Sequence, residues 1–292
     1  MSIIACLKEA AEKNIAIGHF NISDLVALRA IFEAAREMRV PVLIGTSEGE
    51  RVFIGTRQAV ALVKSLREEF NYPVFLNADH THSFEKIKEA VEAGYDAVLF
   101  DGGKLPFEEN IRETKRVVEY VKSVNPGIIV EGEIGYIGSS SEIISALPEG
   151  AAFRPEDLTS PEQAAQFVKE TGVDLLAPAV GNVHGIVLPK GATVAEDPPL
   201  DIARIKAISE AVQIPLVLHG ASGNTDDDIR NAIQSGVRIV HINTELRRAW
   251  RSGLEKGLKE NLTSVTPYKV LGGSFSAVKE VAKRYLTLYN ST

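Results

Sequence analysis

Pro73-Val74-Phe75-Leu76-Asn77-Ala78-Asp79-His80-Thr81-His82-Ser83, then Phe84-Glu85-Lys86-Ile87-Lys88-Glu89-Ala90-Val91-Glu92-Ala93, then Gly94-Tyr95-Asp96-Ala97-Val98-Leu99-Phe100-Asp101 make up one unit of the fold. The run Pro73 to Ala78 is short and mostly apolar rather than alternating, as a parallel strand buried on both faces requires. Phe84 to Ala93 has the apolar spacing of an amphipathic helix behind a Ser83 cap. Ala97 to Asp101 is a second buried run. The same pattern recurs at Asn14 to Phe20, Val40 to Gly45, Ile128 to Ile134, Asp174 to Val180, Pro215 to His219 and Val237 to Asn243. Helical stretches fall between these runs at Phe107 to Ser123, Pro161 to Thr171 and Asp201 to Val212.

Eight β-then-α units in 292 residues predict an α/β fold, a (β/α)8 TIM barrel, whose usual length is about 250 residues. An open doubly wound sheet would carry a Gly-rich turn after its first strand. Here the first run closes on Gly18-His19-Phe20-Asn21 without one. No linker or composition break divides the chain, so residues 1–292 are expected to form a single domain. An extra C-terminal helix, Ser276 to Tyr289, follows the eighth unit and is expected to cover the barrel or dock a neighbouring subunit. Two connections exceed ordinary barrel loops: Gly135 to Ser160, with Gly138-Ser139-Ser140-Ser141, and Gly181 to Leu200, with Pro189-Lys190-Gly191. Long loops of this kind serve as lids or are disordered insertions.

Composition narrows the class of partner. The formal charge is -7 and no cationic cluster is visible, which argues against nucleic acid and anionic membranes, since both need grouped Lys and Arg. No segment approaches the roughly 20 apolar residues of a membrane span, and the first residues lack a secretory pattern. Cys6 is the single cysteine, so no internal disulfide is possible, which suits a reducing cytoplasm. In that compartment the Asn261-Leu262-Thr263 sequon carries no glycan. A small-molecule partner is expected.

Barrel active sites form at the carboxyl ends of the strands. Those ends carry His19 and Asn21, Ser47, Asp79 and His80, Asp101, Glu133, the turn Gly181 to His184, His219, and His241, Asn243 and Thr244. His80, His184 and His219 would meet from strands 3, 6 and 7. Three neutral imidazoles with an open fourth position describe a catalytic zinc site. Asp101 and Glu133 would steady those imidazoles or give the ion another seat. His82, next to the Ser83 cap, is expected to face solvent or to stand behind the ligands. Gly220-Ala221-Ser222-Gly223, with Asn243-Thr244 ahead of a helix, offers backbone amides to an anion, where barrels often hold phosphate. No inner strand carries the lysine a Schiff-base aldolase needs, so carbonyl chemistry here would rely on the metal.

These residues resemble the class II, zinc-dependent ketose-bisphosphate aldolases of the fructose-bisphosphate and tagatose-bisphosphate type, from Gly18-His19-Phe20-Asn21 through Thr244-Glu245-Leu246-Arg247. The most specific pieces are Ala78-Asp79-His80, Val130-Glu131-Gly132-Glu133-Ile134-Gly135, Val183-His184-Gly185 and Leu218-His219-Gly220-Ala221-Ser222-Gly223. The resemblance implies zinc on His80, His184 and His219, with Glu133 and Asp101 as positions associated with metal shuttling. It implies Asp79 as the acid/base at the cleaved bond, and Glu142 on the Ser-rich loop as the acid that handles the enediolate carbon. Gly185, Gly220, Ala221, Ser222, Asn243 and Thr244 would serve the phosphate and a monovalent cation, Na+ or K+. Asn21, Ser47 and His241 would contact substrate at the inner mouth.

The activity implied is reversible cleavage of fructose 1,6-bisphosphate, or of its tagatose epimer, to dihydroxyacetone phosphate and glyceraldehyde 3-phosphate, by a cytoplasmic homo-oligomer, dimer or tetramer. Two readings of another class compete. A metal-dependent barrel hydrolase would use His80-Thr81-His82 as paired ligands. A non-catalytic sugar-phosphate binder would account for Asn77 and His241, which stand where the family usually has His and Asn.

Overall fold

The computed structural model describes residues 2–138, 142–150, 154–187 and 198–291. Every expected run becomes a strand: β1 Ile17–Asn21, β2 Val42–Thr46, β3 Val74–Thr81, β4 Ala97–Phe100, β5 Ile129–Ile134, β6 Leu175–Pro178, β7 Leu216–Leu218 and β8 Val237–Ile242. They close in the order β1-β8-β7-β6-β5-β4-β3-β2, and every neighbouring pair is parallel. A closed barrel has no sheet edge. Each strand is buried on both faces, hence the continuous apolar runs. Phe20, Ile44, Leu76, Val98, Val130, Leu176, Leu218 and Val240 pack outward beneath the helices. Ile17, Leu43, Phe75, Ala97, Ile129, Leu175, Val217 and Ile239 fill the interior.

The helices follow from local signals. Phe84–Ala93 starts where the Ser83 side chain accepts from the Lys86 amide, and it stops at Gly94 in the left-handed region. Pro161–Thr171 opens on a Ser160 cap with proline in its first turn. Ile202–Val212 begins one residue after the expected start, Asp201, which caps it. The expected C-terminal helix runs longer, Gly272–Asn290, and packs on Leu25–Met38 and Thr244–Glu260. It reaches Thr244–Glu260 at a glycine crossing, where a Cβ on Gly253 would lie 2.4 Å from the Gly273 carbonyl oxygen. It thus covers the outside of the barrel.

Three features depart from the expected pattern. β3 continues past Ala78 to Thr81, with a register shift against β4 and with His80 at φ 36. The extension carries Asp79 and His80 into the mouth. The helix Ile3–Lys13, absent from the sequence pattern above, closes the opposite end of the barrel by burying Ile3, Cys6, Leu7 and Ala10 against the interior side chains. The two long connections meet in a parallel pair, Ile143–Ile144 with Ile186–Val187. Ser139-Ser140-Ser141 and Pro189-Lys190-Gly191 lie outside the described residues. Among the described residues, no helix is long and apolar enough to cross a membrane.

Candidate active site

His80 near the end of β3, His184 after β6 and His219 after β7 meet over the carboxyl ends of the strands. Their ring centroids stand 4.6, 4.9 and 5.7 Å apart, and one ligand atom from each falls within 4.8 Å of the others. Hydrogen bonds decide which nitrogens face inward. His80 Nδ1 is 2.8 Å from Asp101 Oδ2, and His219 Nε2 is 2.7 Å from Glu131 Oε1. An ionised carboxylate only accepts, so both of these nitrogens carry the proton. The lone pairs are left on His80 Nε2 and His219 Nδ1. Those two atoms and His184 Nε2 are buried with no hydrogen-bond partner. Buried polar atoms are rarely left unsatisfied, and three such nitrogens converging, two of them on rings braced from behind, are what a metal ion needs. Glu131 was not anticipated, although it stands two residues from Glu133 and therefore on the same strand face.

The turn presenting His184 is tied down at several points. Asn182 Oδ1 accepts from the Val180 amide, its Nδ2 donates to the His219 carbonyl, and the His184 amide donates to Ile137. A Cβ on Gly220, at φ 61, would lie 2.4 Å from the Val183 carbonyl oxygen, so the β6 and β7 turns pack as only glycine allows. His80 pays some backbone strain at positive φ, which points its imidazole at the other two.

The carboxylates divide by environment. Burial would raise Asp101, but its hydrogen bond and charge contact with His80 hold it at about 2. Burial pushes Glu133 well above the usual carboxylate range, with Asp101 reinforcing and His80 opposing. His80, Asp101 and Glu133 form a second group of close ligand atoms, consistent with an alternative seat for the ion. Burial opposes protonation of His80, yet Asp79, the Asp101 bond and Glu133 raise its pKa well above that of ordinary imidazole. Burial drives His184 the other way, with repulsion from His80 and His219.

Asp79 is buried beside this cluster. Burial would raise its pKa, but His80, His19, His219 and the Asn21 bond hold it well below the carboxylate range. Its Oδ2 accepts from Asn21 Nδ2 at 2.9 Å, while Oδ1 has no partner and lies 3.9 Å from His80 Nε2 and 3.6 Å from His241 Nδ1. The same Asn21 nitrogen donates to Glu50 Oε2 at 2.8 Å, which also accepts from Ser47 N and Oγ. Glu50 Oε1 takes Arg247 Nη2 at 2.9 Å. Arg51, also buried, donates to the backbone carbonyls of Thr46 and Asp79 and to Thr81 Oγ1, binding the ends of β2 and β3 together. Glu50 and Arg51 were missed by sequence reasoning. The available signal was Ser47-x-x-Glu50, a helix-start pattern.

His19 stacks on His241, which lines the mouth, at 3.5 Å with the ring planes 7° apart. Parallel rings aim their lone pairs in parallel, so this pair is poorly disposed to chelate one ion. Burial takes His19 to about 3 and depresses His241 strongly, and Asn77 meets His19 Nε2 at 3.2 Å.

Of the expected residues, Asn21, Ser47, Asp79, His80, Asp101, His184, Gly185, Gly220, Ser222, His241, Asn243 and Thr244 line one mouth of about 870 Å3 open to solvent. Ala221 is buried behind it in the short 3-10 turn. Glu133 sits beneath, against His80. Glu142 is exposed and does not line the mouth. His82 is half exposed, 3.6 Å from Asp101, and shares no ligand group with His80, which removes the paired-ligand basis of a hydrolase. Glu48, Gly49 and Arg247 line the same mouth without having been expected there.

Residues 1–292 match the family model described as fructose-bisphosphate aldolase class-II. A fructose-bisphosphate aldolase of Geobacillus stearothermophilus is 36% identical over 282 residues, 96% of this chain and 93% of that protein. One of Staphylococcus aureus (strain Mu50) is 36% identical over 286 residues, 97% of this chain and 94% of that protein. Among solved structures, the YdjI aldolase of Escherichia coli K12 superposes with a TM-score of 0.80 at 32% identity, covering 100% of this chain and 98% of that one.

Proposed function

The chain belongs to the class II fructose-bisphosphate aldolase family, and from that premise we propose that it cleaves fructose 1,6-bisphosphate reversibly between C3 and C4. The observation that carries the reading is the set of three partnerless imidazole nitrogens, on His80, His184 and His219, beside the unpartnered Oδ1 of Asp79. Three neutral imidazoles suit zinc, which when bound would supply a Lewis acid to the substrate carbonyl.

The chain's own groups do the rest. Asp79 Oδ1 takes the proton of the C4 hydroxyl. The C4 oxygen becomes the aldehyde carbonyl as the C3–C4 bond breaks, and the electron pair passes to C3 and the C2 carbonyl, leaving the enediolate of dihydroxyacetone phosphate. Asn21 holds the other carboxylate oxygen, so the basic atom keeps its aim. Gly185, Gly220, Ala221, Ser222, Asn243 and Thr244 are the proposed seat of the phosphate on the ketone half, with Na+ or K+ beside it. Glu142 is proposed to return a proton to C3. Its backbone carbonyl accepts from the Ile186 amide, which ties its segment to the chain two residues beyond His184. Cytoplasmic location is supported by the lone cysteine, and assembly as a dimer or tetramer belongs to the same proposal.

The test is a coupled assay of triose phosphate release from fructose and tagatose 1,6-bisphosphates, with and without chelator. Release that stops on metal removal and returns with zinc is expected. Release that survives complete removal overturns the mechanism, and preference for the tagatose substrate reassigns the epimer.

A further inference from the structure

We propose that Glu50 is a positioning residue for the acid/base group: it fixes the Asn21 side chain, and through it the aim of the Asp79 carboxylate at the C4 hydroxyl; this rests on the aldol reading above. The Asn21 amide nitrogen carries two N–H groups and stands between two carboxylates, 2.8 Å from Glu50 Oε2 and 2.9 Å from Asp79 Oδ2. Turned over, the amide would set its carbonyl oxygen against both. With Asp79 as its single acceptor, the buried amide would keep one N–H unpaired and could swing about the remaining bond. On its other side Asn21 Oδ1 leans over β2, where a Cβ at Gly45 would lie 2.7 Å from it, so the bare strand there admits the amide.

The chemistry of Glu50 suits this role. Its Oε2 also accepts from Ser47 N at 2.8 Å and Ser47 Oγ at 2.9 Å, and its Oε1 accepts from Arg247 Nη2 at 2.9 Å. Every one of these partners donates, and an ionised carboxylate only accepts. Glu50 is buried, so those donors rather than water hold its charge in place. Capping alone would ask less. The bond from the Ser47 amide starts the helix Glu48–Ile54, as Glu or Gln at that place commonly does, whereas the bond from Asn21 comes from β1 and adds nothing to the helix. The next residue braces Asp79 from its other end, since Arg51 Nη1 donates to the Asp79 backbone carbonyl at 3.1 Å. One short helix thus holds both the side chain and the backbone of the acid/base group.

Kinetics on the zinc-loaded protein with fructose 1,6-bisphosphate test this. Glu50→Ala should lower kcat roughly 10- to 100-fold with KM within about twofold. Glu50→Gln keeps the helix-start pattern, and its carboxamide oxygen still accepts from Asn21 and Ser47, so it should recover most of the loss. In an Asp79→Asn background Glu50→Ala should lower kcat no more than about twofold, because a group that acts through Asp79 has nothing left to aim. Exchange of solvent deuterium into C3 of dihydroxyacetone phosphate, a step with no C4 hydroxyl, should stay within about twofold in Glu50→Ala. An unchanged kcat, an equal loss in the Asp79→Asn background, or exchange that falls in step with cleavage overturns the proposal. Unmodified protein that neither cleaves nor exchanges overturns the aldol reading instead. The Asn21 side-chain amide, followed by proton–nitrogen correlation NMR, then judges the brace without substrate: Glu50→Ala should shift its proton signals, and unmoved signals overturn the brace.

Discussion

At the residue scale, Glu131 decides which nitrogen of His219 is available. Removing its carboxylate leaves His219 Nε2 without its acceptor inside the barrel and frees the ring to turn. Glu131→Ala is expected to weaken zinc affinity about 10- to 100-fold, as measured by competition with a chromophoric chelator; unchanged affinity would show that the ring is held by packing alone. Asp79→Asn should behave differently, because Asp79 faces the cluster without being one of its three nitrogen donors. Turnover is expected to fall on the order of 10²- to 10⁴-fold while zinc content by mass spectrometry stays level, and loss of zinc would make Asp79 a structural group. The three proposed ligands and Asp79 were legible as candidates because each ends an apolar run. Glu50, Arg51 and Glu131 were not, since a buried carboxylate or guanidinium in a sequence looks like any solvated charge until its partners, tens of residues away, are brought to it.

At the element scale, the helix Ile3–Lys13 acts as a stopper for the barrel. Its Leu7 is buried against the lower interior layer, and Leu7→Ala is expected to cost about 2–5 kcal/mol in urea unfolding while the folded fraction keeps its zinc affinity, because the mouth lies at the other end. Cys6 on the same helix gives a simpler readout. Burial pushes its thiol up to about 11, and only the thiolate reacts with disulfide reagents. Cys6 should therefore resist an aromatic disulfide reagent at neutral pH in the native protein and react in full in denaturant; prompt native reaction would mean that the helix opens readily. The eight strands were legible from their apolar runs, since burial on both faces leaves no alternation to misread. The stopper was not, because its apolar residues at positions 3, 6, 7 and 10 precede the first strand and belong to no β-then-α unit. The paired strands Ile143–Ile144 and Ile186–Val187 escaped for another reason, as two residues are too few to set a period.

At the scale of the whole molecule, an ion held by the three histidines would join the end of β3 to the turns after β6 and β7, which already pack on each other. His80, His184 and His219 enter from β3 and from the turns after β6 and β7, so binding fixes strand ends on two sides of the barrel at once. An ion that binds only the folded state stabilises it by about 2.7 kcal/mol at a hundredfold excess over its dissociation constant. For a chain of this size that is a rise in Tm of roughly 5 °C. The rise should grow with the logarithm of free zinc and should vanish in His184→Ala, which removes one nitrogen without touching Asp101 or Glu131. It should also shrink as the pH falls. Asp79, Asp101 and Glu133 favour the proton on His80, so the ion must displace it, and that displacement becomes harder as protons become more abundant. Differential scanning calorimetry against buffered zinc at two pH values measures both effects. A Tm indifferent to zinc at every pH would mean that the three histidines do not bind the ion together, and the mouth would then have to act without it.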